Sequence, residues 1–295
     1  MSEESKNLIV TVDGGGSTCR ASICEVSGKT IGTARGGSAN ITTDFDSTLI
    51  NILDTVGRAY SAAGLDSARM VNDFAFLGLA GANLDGMAEK TENALGFSKV
   101  KVTSDREITV QGAMGGEDGT VAAIGTGSFF VSHHDNKVLS IGGWGLQLGD
   151  DGGGALLGQK LLRRTIHAHD GITPHSPLTR SVLKRFGGTP RGLVAFVQTA
   201  TPMDYGSFAP ELIEAYYERD IAAVEIIDAA VSSLHHTLDI LNTKATGALY
   251  MLGGLGAVYT ELLRPEYRAL CTPPKGNASD GAVALAQRLW AGEIK

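Results

Sequence analysis

The chain has 295 residues, of which 43% are hydrophobic and 19% are charged. These proportions are typical of a globular protein with one large or two ordinary domains, and they exclude a disordered chain. With 25 basic and 32 acidic residues the formal net charge is −7. General electrostatic attraction to nucleic acid or to an anionic membrane is therefore not expected.

The cysteines and the N-terminus predict the compartment. Cys19, Cys24 and Cys271 are odd in number and lack metal-ligand spacing, which fits a reducing compartment better than a disulfide scaffold. The first residues have neither the basic region nor the apolar core of a secretion signal, and no run of about 18 apolar residues occurs. We therefore expect a cytoplasmic protein without a membrane or nucleic-acid partner.

An apolar strand near the N-terminus runs directly into an acid and a glycine-rich turn. The stretch after the strand consists of Asp13, Gly14, Gly15, Gly16, Ser17 and Thr18. Consecutive glycines let several backbone N–H groups approach one anion, because no Cβ blocks positive φ or close contact. Asp13 would repel a phosphate and is better suited to hold the divalent cation that accompanies a nucleotide. A simple hairpin turn with a polar tip is the alternative interpretation.

The first part of the chain alternates strands, glycine turns and helices. Two strands after the first turn, over residues 19–26 and 29–36, predict a β-meander. Helical spacing of apolar residues follows over 45–63, then a strand over 74–80, a helix over 84–95 and a short strand over 100–102. Ser104, with Glu107 three residues later, is typical of a helix N-terminus and places Asp105 in the first turn.

The second part repeats this pattern. A strand over 120–124 ends in a second glycine turn, followed by strands over 129–131 and 138–142, a helix to about residue 169, helices over 174–241 and a strand over 247–252. The second turn consists of Gly125, Thr126, Gly127 and Ser128, and Gly253 and Gly254 form a third. The repeat predicts a duplicated unit, with a first domain over 1–113 and a second over 114–279 that carries a helical insertion. We also expect the closing helix over 280–295 to pack on the first domain.

Three strand-to-glycine turns combined with the acids Asp13, Asp105 and Asp150 indicate phosphoryl transfer. Catalysis of that reaction depends mainly on positioning and on neutralising charge. The sequence contains neither the Gly-x-Ser-x-Gly elbow of many hydrolases nor the clustered His or Cys residues of a zinc enzyme.

The motifs together resemble the BadF/BadG/BcrA/BcrD ATPase family of the sugar kinase, actin and chaperone superfamily. The matching stretches run in order through nearly the whole chain and comprise residues 13–18, 38–40, 104–105, 125–128, 142–145, 149–150 and 253–254. Within the family, residues 168–177 and 203–210 are most similar to bacterial glucosamine kinases, with N-acetylglucosamine kinases next. The resemblance implies an α/β, two-lobed actin-like ATPase (ribonuclease H-like) fold with duplicated mixed sheets and flanking helices.

The resemblance also implies roles for individual residues. Asp105 is expected to be the base that accepts the proton of the sugar 6-hydroxyl, and Asp13 to hold Mg²⁺. The expected ATP-binding residues are Gly14, Gly15, Gly16, Ser17, Thr18, Gly125, Thr126, Gly127, Ser128, Gly253 and Gly254. The expected sugar-binding residues are Asn40, Asp105, Gly143, Trp144 and Asp150. Arg106 follows the acid where the family usually carries a small residue, which leaves the choice of sugar open.

Each assignment has a structural alternative. Asp105 can act as a helix-capping acid, Asn40 as a turn residue that bonds its own backbone, and Trp144 as a core residue. For Asp151, next to Asp150, a solvated or capping role is expected.

We therefore expect an ATP- and Mg²⁺-dependent kinase that converts glucosamine to glucosamine 6-phosphate, with N-acetylglucosamine as the alternative substrate. An activator-type ATPase with an iron–sulfur cluster would need a cysteine set that this chain does not offer. A non-catalytic sugar sensor would need an output domain. The resemblance is compatible with a homodimer.

Overall fold

The computed structural model describes residues 8–16 and 18–293, which form two compact units. The first unit contains the described residues up to Gly116 together with those from Pro274 onward, and the second spans Glu117–Pro273. Within these residues no helix is both long and apolar enough to cross a membrane.

The first unit is built on a five-stranded mixed sheet. Its strands are β1 Leu8–Gly14, β2 Cys19–Glu25, β3 Thr30–Gly36, β4 Phe74–Leu79 and β5 Lys99–Ser104. They lie in the order β3-β2-β1-β4-β5, with β1, β2 and β3 antiparallel and with β4 and β5 parallel to β1. The parallel strands therefore all point their carboxyl ends to one edge of the sheet, the edge at which Asp13 lies.

Helices cover both faces of this sheet. They are α1 Phe45–Ala62, a 3₁₀-helix Ser67–Val71, α2 Met87–Ala94, α3 Asp105–Met114 and the C-terminal helix Ala278–Trp290. Along β1, Val10 and Val12 are buried with residues of α1, whereas Ile9 is buried with residues of the C-terminal helix. Because successive side chains of a strand alternate between faces, Asp13 shares the face of Ile9.

The C-terminal helix packs closely on α3. A Cβ on Gly281 would lie 1.9 Å from the carbonyl oxygen of Ile108, and a Cβ on Gly112 would lie 2.0 Å from that of Asn277. Only glycine permits such an approach of two helix backbones. This contact fixes α3, and with it Asp105 at its first position, against the sheet.

The second unit repeats the meander on a smaller scale. Its strands are β6 Gly119–Ile124, β7 Ser128–His134, β8 Lys137–Gly142 and β9 Leu249–Leu252, in the order β8-β7-β6-β9. The antiparallel strands β6, β7 and β8 are joined by β9 parallel to β6. In both units, therefore, the first strand of the meander is followed by a glycine turn and pairs on its other side with a parallel strand.

Nine helices complete the described part of the second unit. They are α4 Gly154–His169, α5 Pro177–Arg185, α6 Pro190–Val197, α7 Pro202–Gly206, α8 Ala209–Tyr217, α9 Ile221–Ile240, α10 Thr243–Thr246, α11 Gly256–Leu262 and α12 Pro265–Arg268. Among these helices, α9, α4 and α8 contribute the most residues to the large apolar core of this unit.

Two helices differ from the prediction in detail. α2 begins at Met87 rather than at Leu84, because Gly86 precedes it in the left-handed region with φ of 75°. On α9 the three-and-four spacing of apolar residues from Ile221 to Leu241 predicts one buried stripe. Ile227, Leu234 and Leu238 of this stripe are buried, but Ile221 is 57% exposed in the first turn. Ala222, Ala223 and Ile226, which were not part of the predicted stripe, are also buried on this helix.

Candidate functional site

The glycine turn after β1 is closed by its own backbone. The N–H of Gly15 donates to the carbonyl of Thr18 across 2.9 Å. A Cβ on Gly16 would meet no atom within 4 Å, so the tip of the turn is open to an approaching group. Ser17, predicted to bind phosphate, lies outside the described residues. The turn immediately follows Asp13, the penultimate residue of β1.

Gly14 holds this turn against the neighbouring strand β4. A Cβ at Gly14 would lie 2.5 Å from Leu79 Cδ2 and 2.8 Å from Ala39 Cβ. The carbonyl of Gly14 accepts from the N–H of Ala80 at 2.7 Å. The turns after β1 and β4 are therefore packed together, and glycine at position 14 is a requirement of that packing.

Asp105 stands at the amino end of α3. Ser104 is the N-cap: its side chain accepts from the N–H of Arg106 at 3.3 Å, and its hydroxyl donates to Asp105 Oδ1 at 3.3 Å. Thr109 Oγ1 donates to the backbone carbonyl of Asp105 at 2.8 Å. The carboxylate is thus positioned by the helix start, where the helix dipole favours negative charge.

Burial acts on both carboxylates of the first unit. Burial raises the pKa of Asp13, the negative charge of Asp105 raises it further, and the positive charge of Arg20 opposes the rise. Burial likewise raises the pKa of Asp105, with the charge of Arg106 and the hydrogen bond from Ser104 opposing it. Carboxylates whose pKa is raised by burial and a like charge are typical of catalytic and cation-binding sites.

Arg20 was missed by the sequence analysis. It is the direct partner of Asp13 in the antiparallel pairing of β1 with β2, so the two side chains share a face of the sheet. The available signal was the strand alternation after the glycine turn. This alternation identifies the partner of Asp13 only when the register of the hairpin is known. The register could not be deduced from the sequence, because the turn between the strands is irregular.

Asn40 is engaged in a local turn. Its Oδ1 accepts from the N–H of Thr42 at 3.0 Å and from Thr42 Oγ1 at 2.7 Å. This is the self-bonded turn that was the structural alternative for Asn40. Its Nδ2 donates to no other residue of the described chain, and the glycine turn lies nearby, since Ala39 N donates to Gly15 O at 3.0 Å. The amide N–H₂ of Asn40 is therefore available to a ligand.

In the second unit, the turn between β6 and β7 is fixed to the start of α4. The N–H of Gly125 donates to the carbonyl of Gly127 at 2.9 Å. The carbonyls of Gly125 and Thr126 accept from the N–H groups of Gly154 and Ala155 at 2.8 and 2.9 Å. A Cβ on Gly125 would meet nothing within 4 Å, so this turn also presents an open side.

Asp150 lies against the same turn. A Cβ on Gly127 would be 2.5 Å from Asp150 Oδ2. Asp150 is only 9% exposed and has φ of 60°, a left-handed conformation that costs free energy for a residue with a side chain. Ser128 Oγ donates to the carbonyl of the exposed Asp151 at 2.8 Å, so this hydroxyl has a structural partner.

The third glycine turn, after β9, contacts the second. Gly253 has φ of 84°, and a Cβ there would lie 2.3 Å from the carbonyl oxygen of Ile124. That carbonyl accepts from the N–H of Leu255 at 3.1 Å. Gly254 has open space around its Cα. The second unit therefore brings the turn at Gly125, the carboxylate of Asp150 and the turn at Gly253 into one cluster.

Trp144 is not a core residue. It is 64% exposed and lies in a turn that follows β8, where Gly142, Gly143 and Gly145 all have positive φ. The N–H of Gly149 closes this turn on the carbonyl of Gly145 at 2.9 Å. The turn connects β8 directly to Asp150, so Gly143 and Trp144 belong to the segment that carries this carboxylate.

The carboxylate oxygens of Asp13 and Asp105 suit a hard divalent cation such as Mg²⁺, which prefers oxygen ligands. A cation there would also offset the effect of the two negative charges on each other. In the second unit, the exposed Asp118 and Asp135 form a cluster with the half-buried His134, at the end of the meander away from the turn at Gly125. Its His134 nitrogens already contact both carboxylates, at 3.1 and 3.5 Å.

The cysteines offer no cluster for an iron–sulfur centre in the described chain. Cys19 and Cys24 are buried in β2, and burial raises the pKa of both thiols. Cys271 lies in the second unit and donates to the carbonyl of Tyr267. Buried thiols with a raised pKa are poor metal ligands, since the thiolate is the form that binds.

Two units with the same three-stranded meander, each extended by a parallel strand and carrying a glycine turn at the end of its first strand, define an actin-like ATPase fold. The solved structure of a ROK family glucokinase from Streptomyces griseus, in complex with glucose and AMPPNP, has this fold. It matches with a TM-score of 0.55 and 16% identity over 95% of this chain and 99% of that chain.

The chain belongs to the BadF/BadG/BcrA/BcrD ATPase family, whose model matches residues 10–257. It is 30% identical to the glucosamine kinase GspK of Vibrio cholerae, over 95% of this chain and 96% of the relative. A solved structure from Chromobacterium violaceum, provisionally named an N-acetylglucosamine kinase, is 31% identical with a TM-score of 0.87 over 95% of this chain and 99% of that chain. An N-acetylmuramic acid/N-acetylglucosamine kinase of Clostridium acetobutylicum is 22% identical, over 95% of this chain and 98% of the relative.

Proposed function

We propose that the protein is an ATP-dependent amino-sugar kinase that phosphorylates glucosamine at its 6-hydroxyl. The observation that carries the proposal is the position of Asp105. This carboxylate begins α3 at the sheet edge shared with the Asp13 turn, and burial raises its pKa. A carboxylate with a raised pKa is better matched to accepting a proton near neutral pH than an ordinary aspartate.

In the proposed reaction, Asp105 accepts the proton of the sugar 6-hydroxyl while that oxygen attacks the γ-phosphorus of ATP. The bond from the γ-phosphorus to the bridging oxygen breaks, and ADP leaves with its electron pair. Backbone N–H groups of the turn from Gly14 to Thr18 bind the γ-phosphate. Asn40 donates an Nδ2 hydrogen bond to a sugar hydroxyl while its Oδ1 keeps the bonds to Thr42.

The second unit is proposed to bind the rest of the nucleotide and part of the sugar. The open side of the Gly125–Thr126–Gly127 turn faces phosphate, and Gly254 lies along the adenosine. Gly127 and Gly253 are needed for the close packing that shapes these turns. Trp144, exposed on its turn, offers an aromatic face to the sugar ring, and Asp150 accepts hydrogen bonds from its hydroxyl groups.

Mg²⁺ bound with ATP would neutralise charge on the phosphate oxygens, with Asp13 as the protein ligand or the acceptor for its bound water. The charges of Arg20 and Arg106 oppose the rise that burial causes in the pKa of Asp13 and of Asp105, respectively.

Glucosamine is the preferred substrate of the proposal, and N-acetylglucosamine is the second candidate. The similarity to a glucosamine kinase supports the first, and the similarity to proteins named N-acetylglucosamine kinases supports the second. The buried carboxylate of Asp150 favours a free amine, since an acetamido group would bring a carbonyl oxygen that the carboxylate repels.

The test is a side-by-side assay of ADP formation with glucosamine, N-acetylglucosamine and glucose under saturating ATP and Mg²⁺. We expect the highest kcat/KM with glucosamine and a loss of turnover in Asp105→Asn. Preference for N-acetylglucosamine would select the second candidate. Absence of sugar-dependent ADP formation with all three sugars would refute the proposed kinase activity.

A further inference from the structure

A polar cavity of about 400 Å³ lies on the first unit, and of its described lining residues only Arg20 also acts on the proposed kinase site, through its charge on Asp13. It is bounded by one face of β2 and β3 and by the start of the C-terminal helix. Its polar lining includes Arg20, Ser22, Thr33 and Arg35 from the strands, and Ser279 and Asp280 from the helix.

Two arginines stand side by side in this cavity. Arg20 and Arg35 are direct partners in the antiparallel pairing of β2 with β3, so their side chains share a face. Like charges directly opposite each other destabilise a sheet. In the described chain neither guanidinium has an ion pair within 4.0 Å, although the charge of Arg20 acts on Asp13 from a longer distance. Within the described residues no ion pair offsets this repulsion, and the carboxylate of Asp280, which also lines the cavity, compensates the two positive charges only in part.

A row of hydroxyl groups crosses the sheet beside the arginine pair. Thr11 is the partner of Ser22, and Ser22 is the partner of Thr33. Thr11 is 1% exposed, and its Oγ1 has no hydrogen-bond partner among the described residues; Ser22 is 3% exposed. A buried hydroxyl without a partner costs free energy. The hydroxyls of Ser22 and Thr33 line the cavity one level along the strands from the two arginines.

The start of the C-terminal helix forms the far wall but does not itself bind an anion. The side chain of Asn277 caps the helix by accepting from the N–H groups of Ser279 and Asp280, at 2.9 and 3.3 Å. Asp280 Oδ2 in turn accepts from the N–H of Asn277 at 2.8 Å. The carboxylate on this wall is thus committed to the helix cap, and the two arginines give the cavity a net positive lining.

We propose that this cavity is a second binding site, for a phosphate monoester of a polyol. Arg20 and Arg35 bind the phosphate, and the hydroxyl row of Ser22 and Thr33 binds the hydroxyl groups of the ester. Guanidinium forks bind phosphate oxygens through paired charge-assisted hydrogen bonds. This pair of side chains can therefore hold a dianion whose two charges match theirs. In this proposal the glycine turns of the kinase site do not contribute to binding of the ester.

The test is an NMR titration of the full-length, ¹⁵N-labelled protein, following the arginine Nε–Hε resonances at constant ionic strength. The probes are inorganic phosphate, glucosamine 6-phosphate and chloride. We expect saturable shifts with both phosphates, tighter binding of the ester, and no saturation with chloride. Equal affinity for the ester and for inorganic phosphate would contradict the role given to the hydroxyl row.

Variants locate the binding. Arg35 is exposed, so the Arg35→Gln variant should fold normally. Its affinity for inorganic phosphate and for the ester should fall at least about tenfold, in line with loss of a charge-assisted contact. Lys29→Gln, which removes the same charge from the same hairpin outside the cavity, should bind as the wild type does. Thr33→Val should remove only the preference for the ester. Unchanged phosphate binding in Arg35→Gln would place the anion elsewhere, for example at the glycine turns, and would overturn the proposal. These readouts need no turnover, so they are independent of the kinase activity.

Discussion

Asp13 and Asp105 lie at the same edge of the first sheet, separated by β4. The register pairs Asp13 with Gly78 and Gly78 with Thr103, and Asp105 follows two residues beyond Thr103. The charge of Asp105 raises the pKa of Asp13, while Arg20 opposes the rise. Two half-buried carboxylates placed in this way fit the proton-accepting and cation-binding roles that we propose for phosphoryl transfer to a hydroxyl.

The first prediction concerns Asp105→Asn. Loss of the proposed base should lower kcat by about 10²- to 10⁴-fold, the range that general-base groups contribute. Glu107→Gln is the matched control, because Glu107 is an exposed acid in the same helix turn. It should retain nearly full activity in the ADP-release assay. A fully active Asp105→Asn enzyme would remove Asp105 from the mechanism.

The same variant should be more stable than the wild type at neutral pH. Burial raises the folded pKa of Asp105 above its usual value of 3.8, so the folded state binds the proton more tightly than the unfolded state. Stability is then lost as the pH rises from the unfolded value through the folded one. Asparagine does not ionise, so the Asp105→Asn variant does not lose this stability as the pH rises. Thermal unfolding should show a higher Tm for Asp105→Asn at pH 7 and a smaller gain at pH 4; a Tm below wild type at pH 7 would contradict the argument.

The second prediction concerns Arg20 as a positioning residue. Arg20→Gln removes the positive charge that opposes the raised pKa of Asp13. The acid limb of the kcat/KM profile should therefore move to higher pH, and the Mg²⁺ concentration for half-maximal rate should increase. Arg20→Lys should restore both, whereas Lys29→Gln should change neither. Initial rates in phosphate-free buffer, measured before the phosphorylated product accumulates, keep the second site unoccupied. An acid limb at the same pH in Arg20→Gln would show that Asp13 does not depend on this charge.

Local patterns were sufficient to predict most of the fold. Strand, glycine turn and helix alternate in the sequence, and the structure confirms the meanders 8–36 and 119–142 and the helices α1, α4 and α9. These elements are predictable because apolar spacing and glycine turns act between near neighbours in the chain. The start of α3 at Ser104 was predictable for the same reason, since capping is a local interaction.

Properties that depend on register or on distant packing could not be predicted. The pairing of Arg20 with Asp13 on one side and with Arg35 on the other is set by hairpin register. The exposure of Trp144 depends on a turn whose glycines take positive φ. The contact of Asp150 with Gly127 joins residues far apart in the chain. In each case the sequence gives the type of the residue, but not the residue that it contacts in the fold.

The third prediction separates two adjacent glycines. Gly253→Ala should destabilise the protein, because φ of 84° and an alanine Cβ 2.3 Å from the carbonyl of Ile124 are both unfavourable. We expect a loss of about 1–3 kcal/mol, the range for a strained backbone position. Gly254→Ala meets open space and should leave Tm unchanged. Because Gly254 is proposed to lie along the adenosine, this variant should raise KM for ATP and leave KM for the sugar unaltered. An unchanged KM for ATP would remove Gly254 from the nucleotide site.

The fourth prediction separates the two roles of Asn40. Asn40→Asp keeps the Oδ1 that accepts from Thr42 and removes the Nδ2 donor proposed to bind the sugar. Tm should therefore stay close to wild type, whereas KM for the sugar should rise at least about tenfold, the effect of losing one hydrogen bond to a polar group. KM for ATP should not change. Thr42→Val is the control: it removes the 2.7 Å hydroxyl contact to Asn40 and should lower Tm with little effect on KM. If Asn40→Asp binds the sugar as well as wild type, Asn40 serves the turn alone.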